Sequence, residues 1–150
     1  MKEKPTYELN ELLENMKPDQ LKDYIRDNVK NRANDKRGFY YFFKDALDEK
    51  GIKLKDVYIR AGVSESYGGQ IIRMENHTKN RDAIIRLCLA GHFDLREINR
   101  ALKLYGFKEL YAKDSKDACL IVAINNRIFD LEDIDSMLAE HGLDKLSKDE

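Results

Sequence analysis

Apolar residues recur along this chain at helical spacing, and no stretch alternates in the manner of a half-buried strand. Leu9, Leu12, Leu13 and Met16 share one face of a first predicted helix. Leu21, Tyr24, Ile25 and Val29 share a face of a second, after Pro18 in a first-turn position that suits its missing N–H. A third begins at "GFYYFFKDALDEKG", where five consecutive aromatics, Phe39 to Phe43, cannot all face one side. A helix apolar all round is buried on both sides. The expectation is a helix sandwiched between the domain core and the amino-terminal helices. Stacking on single-stranded bases is the other use of such a run, but no basic residues interleave it.

The remaining elements carry their own punctuation. "LKDVYIRAG" stops at Gly62, a helix C-cap residue, and Ser64 is placed to N-cap the next helix. "RDAIIRLCLAG" closes on Gly91. "DLREINRALKLYG" opens on Asp94 with Glu97 three residues on, a capping-box pairing with Asp in place of Ser or Thr, and closes on Gly106. "SKDACLIVAINN" is mostly apolar and predicts a buried helix, and "DLEDIDSMLAEHG" repeats the Asp-start, Gly-stop pattern. The repetition extends further. Asp94–Leu110 aligns without gaps on Asp130–Leu146, and "RDAIIRL" matches "KDACLIV" with one residue of slip. A helical hairpin is thus repeated once, and two copies fall short of a solenoid. The second copy is expected to stack on the first and extend one core.

From Phe39 to Gly106 the chain resembles the five-helix domain of the phage-repressor class, the Cro and lambda-repressor (XRE) family. The residues that carry the resemblance are Val57, the Ala61-Gly62-Val63-Ser64 turn, Tyr67, Ile71 and the closing string "RLCLAGHFDLREI", in which Cys88 takes a position usually held by Ala. Two positions depart from the family pattern: Tyr58 stands where a small residue is usual, and Gly68 where Ile or Val is usual. The resemblance implies that these positions face each other, so a volume-conserving exchange would keep the corner packed. The other arrangement turns Tyr58 outward and leaves Gly68 as a point of close helix approach. Gly69 falls on the outward side in the same register, where bare backbone would admit a partner.

The same resemblance implies a set of DNA-reading positions. Ser64, Glu65 and Ser66 would open the recognition helix, and Tyr67 matches a frequent phosphate contact. Gln70 would read a base, since its amide pairs bidentately with adenine. Arg73, one turn later, would reach guanine or phosphate. Asn76, Lys79 and Arg81, with His77, would clamp phosphate from the following loop. Glu65 opposes phosphate by charge; accepting from a cytosine amino group and capping the helix are both open to it. The basic run "KNRANDKR" (Lys30 to Arg37) is either an arm on the DNA backbone or a solvated linker.

Charge changes this picture in one respect. The formal net charge of -1 hides a basic middle and an acidic end: residues 51–108 hold 11 Lys or Arg against 6 Asp or Glu, and residues 109–150 hold 5 against 11. The middle suits a polyanion, but the whole chain lacks the strong positive charge of a tight nonspecific binder. The acidic end is a solvated face or a protein-partner site. Cys88 and Cys119 lie in apolar stretches without CxxC spacing, as expected for reduced, buried thiols. His77, His92 and His141 show no metal-ligand spacing. "GVSESYGG" lacks the Gly-Lys-Ser/Thr ending of a phosphate loop. No catalytic constellation, cofactor motif, signal peptide or membrane span is legible, which points away from an enzyme.

The sequence therefore predicts a cytoplasmic all-α protein with a five-helix lambda-repressor-like helix-turn-helix core over residues 38–106. An amino-terminal helical extension (1–37) and a carboxy-terminal helical hairpin (107–150) would flank it. Its expected activity is sequence-specific binding of double-stranded DNA in transcription regulation, as a homodimer, without metal or cofactor. The alternative is a non-enzymatic protein–protein interaction module on the same fold.

Overall fold

The computed structural model describes residues 14, 16–21 and 37–146. The two predicted amino-terminal helices and the basic run before Arg37 lie largely outside the described residues. Pro18 opens a short 3₁₀ turn, Pro18–Gln20. Seven α-helices follow among the described residues, with no strand: α1 (Gly38–Lys50), α2 (Leu54–Ala61), α3 (Glu65–Ile72), α4 (Arg81–Ala90), α5 (Leu95–Tyr105), α6 (Ser115–Asn125) and α7 (Leu131–Glu140). The protein is all-α. None of the described helices is long and apolar enough to cross a membrane.

α4 is the hub. Every residue from Ala83 to Ala90 is buried, and the helix packs against α2, α5 and α7. α1 lies on α5 and α3, α3 against α2, and α6 against α5 and α7. Of the aromatic run, Phe39 and Phe43 are fully buried one turn apart. Phe39 meets Tyr105 edge-on at 4.9 Å, and Phe43 lies 4.9 Å from Phe93. Tyr40, Tyr41 and Phe42 are half-buried; the cover expected from the amino-terminal helices lies outside the described residues.

The helix stops follow the predicted grammar, with one instructive exception. Gly62, Gly106 and Gly142 adopt the left-handed conformation that ends a helix. Gly91 caps α4 at φ -87°, and the left-handed residue is its neighbour His92, at φ 58°. Gly91 is required for space instead. A Cβ there would stand 2.9 Å from Leu47 Cδ2 and 3.0 Å from the Phe93 ring.

The repeat holds at the level of single hydrogen bonds. Asp94 caps α5 through Glu97 N, and Asp130 caps α7 through Glu132 N and Asp133 N. Ile98 and Leu102 are matched by Ile134 and Leu138, all fully buried. After each hairpin the Leu110 and Leu146 amides donate to side-chain oxygens of Asn99 (2.8 Å) and Asp135 (3.1 Å). His92 and Arg127, ending α4 and α6, share a left-handed backbone (φ 58° and 57°). Both also meet the Phe129 ring, one stacked and one as a cation over its face.

The two copies are tied crosswise. The "Arg-Asp" that opens α4 and the "Lys-Asp" that opens α6 exchange partners. Arg81 forks onto Asp117 (3.0 and 2.9 Å), and Lys116 reaches Asp82 (2.8 Å). Each cation also bonds the equivalent carbonyl after its own hairpin, Arg81 to Glu109 O and Lys116 to Lys145 O. Asp117, itself buried, accepts a further bond from Tyr111 N.

Candidate nucleic-acid interface

α2 and α3 are eight residues each, joined by Gly62, Val63 and Ser64. Gly62 at φ 71° turns the chain, and the Val63 amide donates back to Tyr58 O. Ser64 has extended backbone angles, and its hydroxyl accepts from Tyr67 N at 3.1 Å, which makes it the N-cap of α3. Its O–H remains a donor in that arrangement. Glu65 follows in the first turn, where a carboxylate suits the positive end of the helix dipole.

The inner face of α3 is Gly68, Ile71 and Ile72, all buried. Tyr58 turns inward beneath it. A Cβ on Gly68 would lie 2.6 and 2.7 Å from Tyr58 Cδ1 and Cε1, and 3.1 Å from Val63 Cγ2. Large and small therefore meet across the corner: the Tyr58 ring occupies the volume that a side chain at Gly68 would take. Burial raises the phenol's pKa; Arg73 opposes that rise, and Glu65 and Tyr40 add to it. Tyr58 thus links the core to the charged residues of α3.

Gly69 lies on the outward side, as the register suggests, but it is covered rather than open to a partner. It is buried, and its bare backbone is covered by the Arg73 guanidinium. A Cβ there would stand 2.8 Å from Arg73 Nη1. Arg73 in turn forks onto Glu75, Nε to Oε1 at 3.0 Å and Nη2 to Oε2 at 3.2 Å. That bond raises the Arg73 pKa and holds the Glu75 carboxyl below its ordinary range. The guanidinium is drawn back along its own helix.

Ser64, Glu65 and Ser66 are exposed at the start of α3, Tyr67 is half-buried against the core, and Gln70 is half-buried. Ser66, Gln70 and Arg73 recur at helical spacing on the side of α3 opposite Ile71 and Ile72. Asn76 and Lys79 are exposed in the following loop. The His77 ring lies tilted against Tyr105 at 4.4 Å, with Nε2 3.1 Å from Tyr105 O, so it seats the loop on α5. Arg81, expected to clamp phosphate, is only partly exposed and engaged within the protein. Its Nε donates to Lys108 O, Nη2 to Glu109 O, and both Nη atoms to Asp117. Four of its five N–H groups are thereby engaged between the two hairpins.

Three participants were missed in the sequence. Glu75 lies two residues from Arg73, across the helix end, where the i,i+4 rule gives no signal. Asp117 was legible in principle, because the repeat places acidic partners at equivalent positions. Arg86, inside an apolar helix, gave no cue to its partners. No cluster of metal-ligating side chains occurs among the described residues, and both cysteines are free. Cys88 is fully buried, which pushes its thiol far up, and Cys119 is half-buried and raised for the same reason. No family model, curated protein or solved structure matches the chain.

Proposed function

We propose that α1–α5 form a repressor-like helix-turn-helix domain, and that the protein regulates transcription by binding double-stranded DNA with α3. The observation that carries this reading is the outward face of α3. Ser66, Gln70 and Arg73 line one side of a helix whose amino terminus, at Ser64 and Glu65, is exposed. A Gln amide pairs bidentately with adenine, and an Arg fork with guanine. The exposed amino terminus of a helix favours phosphate, and the Ser64 O–H, Asn76 and Lys79 lie where the flanking backbone would run. One such helix spans a half-site, so the working unit is a homodimer.

Two features define the mechanism on this chain. Arg81 supplies no phosphate contact, because its guanidinium holds the hairpins together. Arg73 must leave Glu75 to reach DNA. Both partners are well exposed, and such pairs contribute little to stability, so a phosphate or guanine displaces the carboxylate at low cost. Selection from a random duplex pool at low and moderate salt tests the reading, with Gln70→Ala and Glu75→Gln measured beside the parent. The expected result is an enriched motif, loss of that preference in Gln70→Ala, and tighter, more salt-dependent binding in Glu75→Gln. No enrichment, with equal binding by all three proteins, rejects it.

A second reading, a protein-interaction module on the same fold, is favoured by a different observation. Glu65 stands at the leading edge, Arg73 is neutralised by Glu75, and Ile59 on α2 is 76% exposed. The enrichment experiment separates the two readings.

A further inference from the structure

The carbonyl end of a helix is unsatisfied by the helix itself and carries the negative end of its dipole. At the end of α2 that carbonyl belongs to Ala61, the residue immediately before the Gly62–Ser64 turn. It is met by a side chain from another helix. Arg86 of α4 donates to Ala61 O twice, through Nε at 3.1 Å and Nη2 at 2.7 Å. Its remaining nitrogen, Nη1, donates to Leu146 O at 3.3 Å, on the segment that follows α7. Arg86 is only 5% exposed. A single buried guanidinium therefore joins the end of α2 to the far end of the second hairpin.

The second hairpin also supplies charge. Leu146 is fixed by its amide bond to Asp135 Oδ1 and by burial of its side chain. Burial lowers the Arg86 pKa, and the Asp135 and Asp82 carboxylates partly oppose that shift. The repeat shows that this contact is particular to one interface. The position of α6 equivalent to Arg86 is Ile121, and the position of α5 equivalent to Asp135 is Asn99. Asn99 makes the same bond to the next segment, to Leu110 N, without a charge. Opposite charges stand at Arg86 and Asp135, and both equivalents in the other copy are neutral.

We propose that the second hairpin is a clamp on the α2–α3 corner, with Arg86 as the link, so that seating or release of residues 143–146 sets how firmly α3 is presented. A buried Arg that loses its carbonyl and its carboxylate neighbour is left under-solvated, and the fork on Ala61 O loosens with it. The coupling does not depend on what α3 binds.

Site-resolved hydrogen exchange on the full chain tests the link. Asp135→Ala removes the acceptor of the Leu146 amide and so unseats residues 143–146 while leaving Arg86 in place. Arg86→Lys keeps the charge and removes the fork. In both variants the Gly62, Val63 and Gly68 amides are expected to exchange roughly tenfold faster, the scale of one hydrogen bond to a charged group. Amides of α5, such as Leu102, should hold their protection. Unchanged exchange at Gly62, Val63 and Gly68 overturns the proposal, as does a uniform rise over all helices. Should Arg86→Lys fail to fold, Asp135→Ala decides alone, with Asp135→Asn, which keeps the seating bond as Asn99 does, expected to stay close to the parent.

Discussion

The α2–α3 corner and the hairpin stack behind it are joined by different physics. At the corner the fit is steric, with the aromatic ring of Tyr58 under a backbone stripped of its side chain at Gly68. In the stack the helices meet through directed polar contacts at their ends. Arg81 with Asp117 and Lys116 with Asp82 cross between the copies, and amides cap onto Asn99 and Asp135. A steric fit fixes position to a fraction of an ångström and is intolerant of added atoms. A polar fit is strong where it is buried and weak where water reaches it. Fixing the angle between two short helices needs the first, and registering two hairpins of the same pattern needs the second, because their apolar faces alone do not specify which pairs with which.

The corner should break most severely. Tyr58→Ala removes a buried ring and leaves a cavity beside Gly68, at a cost of about 3–4 kcal/mol in urea unfolding. Gly68→Ile drives a branched side chain into the same ring and should cost about 3 kcal/mol. Combining the two restores the large-small arrangement in reverse, so the double variant should be more stable than either single one. If the costs simply add, the ring and the glycine are not exchanging volume.

In the stack the effects should be graded by burial. Asp117→Ala strips a buried carboxylate that serves the Arg81 fork and the Tyr111 amide, for a loss of about 3 kcal/mol. Lys116→Ala removes the more exposed cross pair and should cost about 1 kcal/mol or less. Equal losses would show that water access does not distinguish the two ties.

The difference also explains what the sequence disclosed. Helix starts and stops were legible because Ser64, Asp94, Asp130, Gly62 and Gly106 act within a few residues of themselves. The repeat was legible because it is written twice. The Tyr58–Gly68 exchange was readable only against a family pattern, as two departures of opposite size. The direction of charged side chains was not readable. Arg81 and Arg73 both lie where a DNA-contacting cation is expected, yet one is claimed by a residue 36 positions away and the other by a residue two positions away. Periodicity reports which face a residue occupies and says nothing of which oxygen a guanidinium reaches. Gly91 makes the same point for backbone: its Gly identity came from a tertiary contact with Leu47, and the left-handed residue was the next one.

Neighbouring glycines give a smaller and signed test. Gly68→Ala puts a Cβ 2.6 Å from a buried ring that has nowhere to go, so it should destabilise. Gly69→Ala meets only the end of the flexible Arg73 side chain, which can swing away. Helix propensity then dominates, and Gly69→Ala should stabilise by up to about 1 kcal/mol. The same change pushes the guanidinium off the helix, and on the proposed DNA-binding reading it should strengthen binding alongside Glu75→Gln. Destabilisation by both substitutions would mean that Gly69 has a packing role as strict as that of Gly68.

The gentlest perturbation is pH, acting where corner and stack meet. His92 ends α4 and stacks on Phe129 of the second hairpin; burial lowers its pKa, with Arg60 of α2, Arg127 and Lys50 adding to the shift. The imidazole is thus harder to protonate folded than unfolded. Between the two values the unfolded chain binds more protons, so stability rises with pH. The contribution is fully present above the ordinary imidazole value of 6.5 and is lost as pH falls through it toward the lower folded value. Below that, both states are charged and the loss is complete. Unfolding free energies of the parent and of His92→Asn, a residue that tolerates the left-handed backbone, should therefore converge as pH falls through this window if the pKa shift is the only difference that depends on pH. Parallel curves for the two proteins would mean that neither burial nor the nearby Arg60, Arg127 and Lys50 cations lower the His92 pKa.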